Sequence, residues 1–163
     1  MCTQCLNANV VLFKSVAKNN NDVVGFYEPF DCITADIRNG VLEIGEFNII
    51  TYITLLESSN RKAGNVLDRR EKLEVKLRLT KCTKDANERL SIDLDDFTID
   101  TKNSNDIITD ACVPYLNYKR ITHIGSITLD INNPKGSYVI KVLVRTPSDN
   151  KYTVQSIQHL QIK

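Results

Sequence analysis

The chain has no tryptophan, and its 21 Lys and Arg residues are nearly matched by 20 Asp and Glu. Without a positive excess there is no bulk field to draw it onto DNA, RNA or an anionic membrane, so no nucleic-acid partner is expected. No apolar run approaches the roughly 20 residues of a membrane span. The apolar stretch Val10 to Phe13 is four residues long, follows no basic stretch and precedes no small-residue cleavage site, so it fails as a signal peptide. A soluble, cytoplasmic protein is the expectation. Five cysteines (Cys2, Cys5, Cys32, Cys82 and Cys112) are an odd number and, after the first two, widely scattered. That is no disulfide framework, and reduced thiols are expected.

Signatures of catalysis are missing too. The Gly125-Ser126-Ile127 stretch lacks the Gly-x-Ser-x-Gly of a nucleophile elbow, and neither a phosphate-cradling glycine loop nor a zinc-protease motif occurs. Of the two histidines, His123 falls on an apolar parity and His159 on an exposed one, so neither announces a general base. The reading is therefore non-enzymatic, with an enzyme whose site is assembled from distant positions as an alternative.

What the sequence does have is alternation. In KLEVKLRLTK, Leu73, Val75, Leu77 and Leu79 alternate with Glu74, Lys76, Arg78 and Thr80, the period of a strand with one wet face in an antiparallel sheet. Asn39-Gly40 between two β-prone runs predicts a two-residue hairpin turn, followed by a strand through Ile49, Ile50, Tyr52 and Ile53. The polar stretch 58–70 reads as a long connection. In RLSIDLDDFTIDTK the apolar set Leu90, Ile92, Leu94 is continued out of phase by Phe97 and Ile99, which predicts a bulge or tight turn at Asp95-Asp96 and leaves Asp93 and Asp95 on the solvent face. KNSNDIITD reads as a loop, and Cys112 to Leu116, with Pro114, as an edge or irregular segment. Ile121 to Ile131, Tyr138 to Val144 and Tyr152 to Ile162 then read as three strands joined by NNPKG and TPSDN turns, a β-meander.

With 163 residues, no linker and no internal repeat, one domain spanning 1–163 is expected, with residues 1–8 as a flexible terminus. About eight or nine strands without a convincing amphipathic helix predict an all-β, antiparallel two-sheet sandwich. The ending GSYVIKVLV, a turn glycine, a tyrosine two residues later, alternating aliphatics and a final strand, resembles the last hairpin of immunoglobulin-like β-sandwich modules. The resemblance covers roughly the last 40 residues and implies an immunoglobulin-like or C2-like architecture and no functional residue; the Cys…Trp…Cys core of antibody domains is missing.

Function then rests on surfaces. The expected role is an intracellular protein-binding or assembly module, taking a protein partner or a second copy along a sheet edge or on its loops. The preferred edge is the terminal strand, with Tyr152, Val154 and Ile162 as contacts and Tyr115 and Tyr118 as aromatic anchors. Deleting Gln158 to Lys163 is expected to abolish capture and leave the domain folded. The alternative is a calcium-dependent module for a membrane or glycan, with Asp93, Asp95 and Asp96 as ligands and Asp100 and Asp106 nearby. Cys2 and Cys5, at CxxC spacing, are candidate zinc ligands or a redox pair, although no second pair completes a site. No cofactor is assigned.

Overall fold

The computed structural model describes residues 6–19, 22–38, 41–58, 72–83, 90–100, 107–109 and 116–163. They form strands and no helix: β1 (Leu6–Asn19), β2 (Asp22–Pro29), β3 (Cys32–Ile33), β4 (Asp36–Arg38), β5 (Val41–Glu43), β6 (Phe47–Ser58), β7 (Lys72–Lys81), β8 (Ser91–Asp100), β9 (Ile107–Thr109), β10 (Leu116–Ile127), β11 (Gly136–Arg145) and β12 (Thr153–Ile162). Ten of them make two five-stranded sheets, ordered β2-β1-β6-β10-β9 and β3-β12-β11-β7-β8, and β4 and β5 pair separately. The pairings are antiparallel except for β12 with β3, which is parallel. The fold is thus the all-β two-sheet sandwich that the alternation implies. Its strand count exceeds the expected number because β3, β4, β5 and β9 are each two or three residues long, too short to carry a period.

Alternation decides which face each strand buries. Leu73, Val75, Leu77 and Leu79 of β7, Tyr138, Ile140, Val142 and Val144 of β11, and Leu160 and Ile162 of β12 line one inner face. Ala8, Val10 and Leu12 of β1, with Phe47, Ile49 and Ile53 of β6, line the other, and the two sets merge into one core. Burying a side chain of this size is worth about 1.5–3 kcal/mol relative to leaving it in water, so each misplaced register would forfeit several such terms. Tyr138 is fully buried and keeps its hydroxyl satisfied by donating to the Pro134 carbonyl at 2.5 Å. Burial pushes its phenol pKa up. Gly136, at the entry to β11, has φ +142°, and a Cβ there would sit 3.0 Å from Lys81 Cε. An L side chain is strained at that φ, which explains the glycine.

Four local expectations are corrected. β10 belongs to one sheet, and β11 and β12 to the other, so the last three strands are not a meander: the NNPKG segment crosses between sheets. Turn-forming residues reverse the chain in either case and do not say where it goes next. Ile107–Thr109, read as loop, is strand β9 and pairs with β10. Leu6, Asn7 and Ala8, read as part of a flexible terminus, pair with Leu55, Thr54 and Ile53 of β6. The phase change in β8 falls at Leu94, ahead of Asp95, because Arg78 pairs with Asp93 and Leu77 with Asp95. The expected hairpin brings Arg38 opposite Val41 across Asn39-Gly40, which itself lies outside the described residues, as does the 59–71 connection.

Candidate interaction edge

The bulge at Leu94 sorts the acidic residues of β8. Asp93 stays on the outer face, where Arg78 donates to it at 2.6 Å and Lys76 lies 3.1 Å away. The hydrogen bond from Arg78 holds the Asp93 carboxyl below the usual range, and the same bond raises the Arg78 pKa. Asp95, in phase with Phe97 and Ile99 and opposite the buried Leu77, faces inward, not toward solvent. There it closes the gap between sheets: Oδ2 accepts from His123 Nε2 at 2.9 Å, and Oδ1 accepts the Asp96 amide at 2.8 Å. Phe97 stacks on the His123 ring at a centroid distance of 3.6 Å. Gly125 of β10 makes room for this bridge, since a Cβ there would come within 2.6 Å of Asp95 Oδ2.

The three carboxylates of the expected calcium site therefore do not converge. Asp93 is engaged by two cations, Asp95 spans the sheets, and among the described residues no group of three His, Cys, Asp or Glu is arranged around a common point. The cause is the position of the bulge, which rotates Asp95 away from Asp93. Asp106, Cys2, Cys5 and Cys112 lie outside the described residues; Cys32 is half-buried and Cys82 exposed, both as free thiols.

The lateral edges differ sharply. β8 ends one sheet with four aspartates in ten residues, and β2 ends the other with Asp22 and Glu28. β9 is three residues long and leaves β10 beyond Lys119 without a second ladder partner among the described residues, where the Asp95 to His123 bond brings β8 alongside. β3 covers only the last two residues of β12. Charge and shortness are the usual guards of exposed edges. β12 carries neither guard: TVQSIQHLQI contains no Asp, Glu, Lys or Arg. Gln161 and Lys163 donate their backbone N–H groups outward to Asp31 and Ile33. Ile157 and His159 share that parity, and among the described residues no strand pairs with them on that side. β1, in the opposite sheet, lies alongside β12 and among the described residues has no second ladder partner before Leu12, whose carbonyl accepts the Phe30 amide, but its outward Asn7 and Asn9 are polar.

Two apolar side chains protrude from the β12 edge, Val154 at 47% and Ile157 at 54% exposure. They stand on the same outer face although three residues apart, because Gln155 is bulged: Val154 pairs with Leu143, and Ser156 with Val142. Ile157 was not legible as a contact, since plain alternation gives it no distinction from its neighbours. Of the residues expected at this edge, Val154 is exposed, whereas Ile162 is 1% exposed and belongs to the core, so its side chain is turned away from any partner. Tyr152 is fixed on the outer face: its hydroxyl donates to Glu74 at 3.3 Å, and its ring lies beneath Arg145 and Lys76. Residue 118 lies in β10, in the other sheet, and Tyr115 is outside the described residues. Removing Gln158 to Lys163 would take Leu160 and Ile162 out of the core, so that deletion unfolds the domain and does not isolate the edge.

The class defined by this geometry is an all-β sandwich in which β12 presents a long, uncharged, half-open edge. No protein-family model matches the chain, and no curated protein matches it in sequence. Among solved structures it is similar to the CooA pilin subunit from enterotoxigenic Escherichia coli, at 13% identity and a TM-score of 0.35, over 94% of this chain and 95% of that one. A likeness that loose carries no argument about function.

Proposed function

We propose that the chain is a non-enzymatic binding or assembly module that takes an extended segment of a protein partner along the open side of β12. The observation that carries this reading is the β12 edge itself, uncharged over its whole length and presenting Val154 and Ile157. In strand addition the ladder supplies sequence-independent hydrogen bonds, here from the outward amides and carbonyls of Ile157 and His159, and alternate side chains supply selectivity. The apolar pair provides that selective element, and Leu143, the cross-strand neighbour of Val154 on the same face, extends it. The remaining sheet keeps its outer face charged through Glu74, Lys76, Arg78, Asp93 and Arg145, which discourages stacking of that face on an apolar surface.

A photoreactive amino acid placed at position 157, and separately at Thr98 on the exposed β8 edge, tests the reading in the native cell. A covalent protein adduct from position 157 and none from position 98 is expected. An absence of adducts at 157, or equal labelling at both positions, overturns it.

A further inference from the structure

We infer that the segment β12 accepts is the β12 of a second copy, paired antiparallel about a two-fold axis with Val154 opposite Ile157 of the other copy. This rests on the strand-addition reading above and names its partner. Three features of the strand meet in this one register. First, Val154 and Ile157 share a face only because Gln155 is bulged; in a regular strand, residues three apart point to opposite faces. With both on the outer face, a two-fold sets each against the other and gathers four apolar side chains into one cluster on the joined sheet. Second, the remaining pairs match by face. Thr153, opposite Val144, meets Gln158, opposite Ile140, and both are on the inward parity of the sheet. Tyr152 meets His159, a ring against a ring at the rim of the outer face.

Third, a two-fold places identical charges near one another, so an edge bearing one sign repels its own copy. β8, with Asp93, Asp95, Asp96 and Asp100, is unsuited to self-pairing on that ground. β12 has no formal charge from Thr153 to Ile162 and pays no such penalty. A partner of opposite charge would find nothing on β12 to complement. The joined sheet would be continuous across the axis, and the assembly closed, because a two-fold contact uses the same edge of both copies.

The test is the solution mass of the full chain by light scattering over a concentration series, with Ile157→Lys, Val154→Lys and Ile37→Lys beside the wild type. Each substituted side chain is exposed, Ile37 at 74% on the separate β4–β5 hairpin. The wild type should have twice the 18.5 kDa chain mass, and so should Ile37→Lys. Ile157→Lys and Val154→Lys should be monomers with wild-type circular dichroism, their dissociation constants raised at least about 100-fold. A wild type that stays monomeric to on the order of 100 µM overturns the inference. So does a dimer that survives in both folded β12 variants, or an open-ended series of oligomers. The strand-addition reading fails separately: a monomeric wild type whose position 157 still crosslinks a different protein removes self-pairing and leaves the edge, whereas no adduct at 157 removes both.

Discussion

Asp95 and its surroundings show how one residue's phase sets local chemistry. Both of its oxygens are engaged, by His123 and by the Asp96 amide, so it has little freedom to yield to a new neighbour. Gly125→Ala is expected to destabilise the domain by about 1–3 kcal/mol in urea unfolding, the usual range for an overpacked contact. The same substitution in an Asp95→Ala background should cost measurably less, and equal costs would show that the close approach is not the cause. Thr51, opposite His123 on β6, is 1% exposed, and its hydroxyl has no hydrogen-bond partner among the described residues. Thr51→Val should therefore be neutral or stabilising by about 1 kcal/mol, because it removes a desolvated hydroxyl and keeps the shape. A loss of stability would mean that the hydroxyl is satisfied after all.

Asp93 provides the pH dependence at this scale. Its folded-state pKa is lowered chiefly by the Arg78 hydrogen bond. A depressed carboxyl contributes stability above its unfolded pKa, and the contribution disappears as pH falls through the folded value. The pair is exposed, so solvent screening limits it to about 0–1 kcal/mol. Asp93→Asn should lower stability at pH 7 by no more than that, with the difference from wild type closing at acid pH. A difference that persists undiminished at acid pH would assign the effect to something other than the ion pair.

At the scale of elements, the contrast between β7 and β12 matters most. β7 sits between β11 and β8, with its apolar residues buried without exception, and Leu77→Ala should cost about 2–5 kcal/mol in equilibrium unfolding. β12 is divided along its length. Its last residues are anchored by Leu160 and Ile162 in the core and by β3, while Val154 and Ile157 are exposed with Gln155 and Ser156 half-buried between them. Measured at a concentration low enough that both proteins are monomers, Ile157→Lys should leave the melting temperature nearly unchanged, whereas truncation after Ile157 should abolish cooperative unfolding. A folded truncate would contradict the burial of Leu160 and Ile162. The β7 strand was legible because its period is unbroken over ten residues. The interruption in β8 was expected at Asp95-Asp96 and falls at Leu94, and the one in β12 was not expected, because a bulge is selected by the strands on either side of it and leaves only a phase change in the sequence.

At the scale of the whole molecule, the two inner faces share one hydrophobic cluster, and the Asp95 to His123 bond ties the sheets at the side where β8 meets β10. Neither sheet can keep its inner face dry without the other. Thermal unfolding should therefore be a single transition, with far-UV dichroism and near-UV tyrosine signals coincident, and two resolved transitions would show that the sheets fold independently.

The sequence by itself determined the composition of each face. Alternation fixed which residues of β7 and β11 are buried, glycine fixed the entry to β11, and charge balance fixed the character of the outer surface. These are local consequences of the two-residue period and of backbone sterics, and they hold whatever the strands pair with. Tertiary structure alone decided which sheet each strand joined, where β8 and β12 bulged, and which edge was left open. Those outcomes depend on partners far apart in the chain: Asp95 turned inward because Leu77 and His123 were there to receive it, and the backbone at Ile157 was left without a second ladder because β3 pairs only with Gln161 and Ile162.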